Sequence, residues 1–330
     1  MRRREFITLV SGAATTWPLV ARGQQGDRIR RIAVLMAYAE SDSEAQAWVA
    51  AFRESLHKLG WIVGRDIAIN VRWATGDRET IERFAKELVA SRPELFLASS
   101  TPSTAALLQQ TRSIPIVFAL VSDPVGSGFV ATFPRPGGNV TGFTTMEPTM
   151  AGKWLELLKE VVPRVARVAF LFNPASAPYV DFYLNPFKAA APSFAVEVIT
   201  APVHDTSGLE SAIAAQASEL NGSLFVWPDA FMAAHREEIA LLLARYRIPA
   251  VSAQRIFAEV GCLLSYGSDS VDNFRRTASY VDRILKGEKP SELPVQAPVK
   301  FELVINLKAA KAVGLVVPGH LQQRADQVIE

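Results

Sequence analysis

Three aspartates in this chain each follow an apolar run: Asp123 after Ile116–Val121, Asp229 after the stretch ending at Trp227, and Asp269 after the stretch from Leu263. A carboxylate fixed at a strand end makes charge-assisted hydrogen bonds to a cation such as an α-ammonium group. Each could equally serve the backbone. Asp229 and Asp269 precede helical patterns that need caps, and Asp123-Pro124 can start a turn. A second group, Ser100, Thr101 and Ser103, stands where the strand ending Leu97-Ala98-Ser99 gives way to a helix opening at Pro102. Hydroxyls and free N–H groups at a helix N-terminus receive an anion, and a carboxylate is expected here. Ser122 and Thr144 bracket the segment that carries Asp123. Asn173 is a polar strand-end residue able to bond a ligand or to form an Asx turn. Tyr38, Trp227 and Tyr266 sit at or just past strand ends, where a ring lines a cleft or packs into a core. Sites for both a carboxylate and an ammonium suit an amino acid or another small carboxylate.

Other chemistry is missing. His57, His204, His235 and His320 form no H-E-x-x-H pair, and Cys262 is the single cysteine, so no zinc set and no internal disulfide can form. There is no G-x-S-x-G elbow, no phosphate-binding P-loop and no G-x-G-x-x-G after a strand. Gly126-Ser127-Gly128 is too short for a dinucleotide fingerprint. A cofactor-independent racemase would want paired acid/base residues, commonly two cysteines. No catalytic residue, metal or cofactor is therefore expected. Cys262 lies in an apolar run and reads as a small buried hydrophobe.

The elements that must position these residues alternate. Strands are expected at 31–36, 67–73, 95–98 and 116–121, separated by helices at 43–59, 79–91 and 102–111. A second run follows Pro148. Its helices lie at 150–162, 180–191, 207–220 and 230–246, and its strands at 167–172, 196–201, 223–227 and 249–252. The tail adds a strand at 263–266, a helix at 271–286, an extended Pro-rich stretch at 293–298 and a last helix at 303–313. Such alternation gives right-handed βαβ units and mainly parallel sheets. The fold class is α/β, with two doubly wound parallel-sheet lobes. Ligands of such sheets bind at the carboxyl ends of the strands. Trp61 and Trp73 read as structural.

The N-terminus reads as a leader. Arg2-Arg3-Arg4-Glu5-Phe6-Ile7 precedes an apolar stretch to Val20, and Ala21-Arg22-Gly23 supplies a small-x-small cleavage pattern. Residues 1–23 are expected to be a signal peptide of twin-arginine type. The apolar stretch is shorter than the roughly 20 residues of a membrane span. Its removal takes the formal charge from +2 to −1. A near-neutral mature chain disfavours nucleic acid as a partner. No stable membrane insertion is expected, and the mature protein is expected in the periplasm as a monomer.

Several segments carry a resemblance: IPIVF and DPVGSG within 114–128, RPGGNVTG at 135–142, Asn173-Pro174, VWPD at 226–229, GCLLSYGSD at 261–269, ILKGEKPSELPVQ at 284–296 and ELVINLKAAKAVGL at 302–315. In this order they resemble the solute-binding proteins of ABC transporters in the tryptophan/tyrosine-binding group, along essentially the whole chain. The resemblance implies a type I periplasmic binding fold with three hinge crossings, near Phe143, Ser268 and Pro298. The lobes would be 29–143 with 269–298, and 144–268 with 299–330. It also implies an ABC permease and its ATPase as partners, and capture of a small solute by hinge closure. Exported enzyme (isomerase or hydrolase) and receptor-coupled ligand sensor are the alternatives on the same scaffold. A transcriptional regulator is disfavoured, because a leader occupies the place of a DNA-binding headpiece.

Overall fold

The computed structural model describes residues 29–330; the leader expected at 1–23 lies outside them. The first run comprises β1 (Arg30–Met36), α1 (Ser43–Lys58), β2 (Ile67–Trp73), α2 (Arg78–Ala90), β3 (Leu95–Ser99), α3 (Thr101–Gln110), β4 (Ile116–Val121) and β5 (Val140–Thr144). The second comprises α4 (Ala151–Val161), β6 (Arg167–Phe172), α5 (Asp181–Ala190), β7 (Glu197–Pro202), α6 (Thr206–Ala217), β8 (Gly222–Val226), α7 (Ala230–Ala234), α8 (Arg236–Tyr246), β9 (Ala250–Ser252) and α9 (Arg255–Val260). The tail holds β10 (Leu264–Ser268), α10 (Ser270–Leu285), β11 (Phe301–Asn306), α11 (Leu307–Ala312), α12 (Gly319–Arg324) and β12 (Gln327–Ile329).

The strands form two sheets, in the orders β2-β1-β3-β4-β5 and β12-β11-β10-β9-β8-β6-β7. Every pairing is parallel except β10 with β11. Strands β3, β4 and β5 are buried throughout, as continuous apolar runs covered on both faces should be. The first sheet buries α1 and α10 on one face, through Trp48, Phe52, Phe274 and Val281, and α2 and α3 on the other. The second buries α4 and α5 on one face, through Trp154, Tyr183 and Phe187, and α6, α8 and α9 on the other.

Elements α9, α12 and β12 were not expected from the sequence, and two of the expected helices fold otherwise. Residues 230–246 were expected as one helix, but the helix breaks at His235, where α7 ends and α8 begins. Residues 303–313 were expected to be helical, yet 303–306 belong to β11. Alternate positions there had no helical face to fill, because the space between β10 and β12 supplies ladder partners on both sides. Asn306 then starts α11, its Oδ1 accepting from the Ala309 N–H at 2.8 Å.

The two sheets meet where three segments lie together. Gln296 O accepts from the Thr144 N–H at 2.9 Å. Asn273 Nδ2 donates to Thr144 O at 2.8 Å. Lys300 Nζ bonds Asp269 Oδ2 at 2.7 Å. Gly142, in β5, has a φ of +155°, and a Cβ there would lie 2.2 Å from Phe118 O. That close approach admits only glycine. Among the described residues no helix is long and apolar enough to cross a membrane.

Candidate functional site

The carboxyl ends of both sheets face one another, and a chain of spaces runs between them. The innermost is narrow, about 30 Å³, room for roughly one water. Its walls include Tyr38, Ser100, Leu120 and Ser122 from the first sheet's strand ends, and Tyr179, Trp227 and Gln254 from the second's. Pro102 and Ser176 also line a larger neighbour of about 500 Å³. That chamber is bounded by Thr101, Ile81 and Arg78 on one side and by Asn173, Phe231 and His235 on the other.

The backbone is strained where it meets these spaces. Thr75, Ser100 and Leu120, just past β2, just past β3 and within β4, have φ values of +53°, +94° and +56°. L-residues reach this region at a cost of about 1–3 kcal/mol, which persists where the surroundings over-determine it. At Leu120 the β4–β5 register slips between Ala119 and Val121. The slip carries Leu120 into the wall of the inner space.

The expected site residues divide. Tyr38 packs edge-on against Trp48, with ring centroids 4.8 Å apart. Burial pushes its phenol pKa up, and the Gln254 side chain offsets this only in part. Ser100 caps α3, accepting from the Ser103 N–H at 3.4 Å, and lines the inner space. Thr101 Oγ1 accepts from the Ser122 N–H at 3.3 Å, while Ser103 is wholly buried. Trp227 is buried, and its indole N–H has no hydrogen-bond partner of normal geometry. Asn173 forms the Asx turn, Oδ1 accepting from Ala175 and Ser176 at 2.8 and 3.1 Å.

Asp229 lies behind the wall. Its carboxylate accepts from Asn173 N–H at 2.8 Å, Ser176 Oγ at 2.7 Å and Met232 N–H at 3.0 Å. Burial pushes its pKa up to about 6 against the pull of these donors. The remaining four stand apart. The Asp123 carboxylate accepts from the Gly126 N–H at 2.8 Å within its own turn. Thr144 joins the crossing segments. Tyr266 stacks on Phe301, and its carbonyl accepts from Trp154 Nε1 at 2.7 Å. Asp269 caps α10 and pairs with Lys300; burial opposes its charge, but that pair and the Asp272 N–H win and hold its pKa down.

Sequence reading missed Tyr179, Ser176, Gln254 and Tyr183. Burial pushes the Tyr179 phenol up to about 12, with Ser122, Trp227 and Thr101 side chains close enough to oppose it. The Tyr183 hydroxyl donates to Ser122 O at 2.8 Å and lies 3.1 Å from Met146 O. Gln254 could have been found by the strand-end rule, since β9 stops at Ser252. Tyr179 and Tyr183 lie beyond a Pro-rich loop and on a helix, where no such rule points. Among the described residues, no group of three His, Cys, Asp or Glu side chains could hold a metal ion.

A family profile described as ABC transporter substrate binding protein matches residues 31–329. The chain belongs to that family. A tyrosine-binding protein of Clostridioides difficile strain R20291 is 25% identical over 264 residues, 80% of this chain and 75% of that protein. The structure is similar to that of an ABC domain in complex with L-Trp from Streptococcus pneumonia, with a TM-score of 0.84, 26% identity and coverage of 92% of this chain and 100% of that one. Against the ligand-free, open structure of a substrate-binding protein with adhesive properties from Clostridium difficile, the TM-score is 0.68 at 25% identity, covering 91% and 99%. Identity is nearly the same in the two comparisons. The structure as a whole is thus more similar to the tryptophan complex than to the open protein.

Proposed function

We propose that this substrate-binding protein captures an amino acid, with an aromatic one favoured, between its two lobes and presents it to an ABC permease driven by its ATPase. The observation that carries this reading is the strain at Ser100 and Leu120, two non-glycine residues whose unusual backbone angles aim them into one interlobe space. Strain of this kind gathers at ligand clamps. The rings of Tyr38 and Tyr179 line the same space and offer apolar faces. The tyrosine-binding and tryptophan-bound relatives point to the same ligand class. Ser100 and Thr101 would take the carboxylate, and the larger chamber the side chain.

The lobes are 29–143 with 269–298 and 144–268 with 299–330, hinged at three crossings near Phe143, Ser268 and Pro298. Closure is favoured only by the higher affinity of the closed form. Recognition proceeds without covalent chemistry: the Asp229 carboxylate is engaged by three donors of its own lobe and Cys262 is buried. The mature protein acts in the periplasm as a monomer after a twin-arginine-type leader is removed.

Thermal unfolding of residues 24–330 against amino acids, small carboxylates, purines and sugars tests the reading. A ligand at 100 times its Kd adds about 2.7 kcal/mol, and L-tyrosine or L-tryptophan is expected to raise Tm by several degrees. A shift with sugars or purines and none with amino acids would refute the ligand class.

A further inference from the structure

Apart from the Asp269–Lys300 pair at the crossing segments, an ion pair bridges the layers of the two sheets outside the ligand space. Asp42 Oδ2 and Arg236 Nη1 lie 2.9 Å apart, with side chains 4% and 22% exposed. Neither group is free to swing. Asp42 Oδ1 accepts from the Ala45 N–H at 3.0 Å at the start of α1. Arg236 Nη1 also donates to Ala233 O at 3.0 Å at the end of α7. Each side chain is held by its own lobe in the direction of the other, so the bond forms with little further loss of rotamer freedom. That distinguishes it from exposed pairs, whose ordering cancels most of the attraction.

The pair is also joined to the ligand space through short stretches of chain. Asp42 follows Tyr38 in the β1–α1 loop, and Arg236 follows Trp227 through α7. Both charges are close enough to act on the Tyr38 hydroxyl. Together with Tyr38 and Ala230 they line a further interlobe space of about 320 Å³. Beside it the lobes abut. A Cβ on Gly76 would lie 2.9 Å from Ala230 O.

We propose that the Asp42–Arg236 bond is a latch made only when the lobes are together, which sets the share of molecules already closed and so tunes ligand affinity from outside the ligand space. The proposal rests on the reading of a ligand held between closing lobes. Apparent Kd equals the intrinsic value divided by the competent fraction, so a contact that raises this fraction strengthens binding without touching ligand. When the lobes part, water takes over both charges, which keeps the effect moderate.

Arg236→Gln and Asp42→Asn, alone and together in the whole mature chain, test this. Asparagine keeps the α1 cap. Spin labels on Lys86→Cys and Ser207→Cys report the interlobe distance, because the native Cys262 is buried and takes no label. Without any added ligand, all three variants are expected to show longer distances than the unsubstituted protein. Their Kd for L-tyrosine or L-tryptophan is expected to rise roughly three- to tenfold, with the double variant no weaker than the singles because each removes the same bond. Unchanged distance distributions, or losses that add in the double variant, would overturn the latch. Failure of the unsubstituted protein to bind either amino acid would strike the ligand reading alone, since the distances need no ligand.

Discussion

Ser100 holds a backbone geometry that glycine adopts without strain, yet carries a hydroxyl into the interlobe space. Ser100→Gly separates its two roles. Glycine is a tolerated N-cap, at a loss of a few tenths of a kcal/mol, and it relieves the positive φ. Thermal stability of the variant is expected to be unchanged or higher by up to ~1 kcal/mol, while amino-acid affinity falls several-fold in calorimetry. An unaltered affinity would leave Ser100 as a cap alone. The residue type at this position was legible in the sequence as a hydroxyl between a strand and a helix. Its φ was not, because nothing local demands it: the angle is imposed by β4, whose Ala119 carbonyl accepts the Ser100 N–H at 2.8 Å. The three strand-end aspartates show the converse. Their positions were readable, but whether each faces ligand or backbone depends on donors brought from elsewhere. Asp229 meets Asn173 and Ser176 from a loop distant in sequence, and Asp123 meets only its own turn.

Asp229 acts at the scale of elements, tying the loop after β6 to the first turn of α7. Its pKa of about 6 lies above the roughly 3.9 of an unfolded aspartate. Between these values the folded protein binds more protons than the unfolded chain, so this residue's contribution is fully present below about pH 3.9 and is lost as pH rises through 6. Relative to Asp229→Asn, the native protein is therefore expected to gain on the order of 2–3 kcal/mol between pH 7 and pH 4, read from paired urea titrations. An offset that stays constant across this range would contradict the raised pKa. Elements themselves were largely legible: β1, β2 and β6 match their expected strands closely, because apolar runs bounded by turn residues carry a local signal. Segment 303–306 was not, since β11 is a strand only by virtue of β10 and β12. The break at His235 was equally hidden, as it goes with contacts of the Arg236 side chain, to Ala233 O and to the sequence-distant Asp42, that no local pattern announces.

Across the whole molecule the lobes are joined by polar bonds rather than by one merged core. The Tyr183 hydroxyl from α5 donates to the Ser122 carbonyl past β4, buried between the layers. Tyr183→Phe keeps the ring in its core but leaves that carbonyl without its donor. Removing such a partner costs about 1–3 kcal/mol, and the loss falls on the closed arrangement. Calorimetry is expected to show weaker amino-acid binding with an unchanged far-ultraviolet spectrum; equal affinity would mean that the hydroxyl plays no part in closure. The long-range order of the chain has a further consequence, for synthesis. Helix α1 packs against α10, and the second sheet gains β10, β11 and β12 only from the tail. Neither lobe can be completed by the residues that a ribosome makes first. A nascent chain that stops short of α10 exposes the Trp48 and Phe52 face of α1, and its second sheet ends at a bare β10 edge. Contacts so distant in sequence make for slow folding. The growing chain thus keeps apolar surface and a sheet edge uncovered until its last strands have emerged.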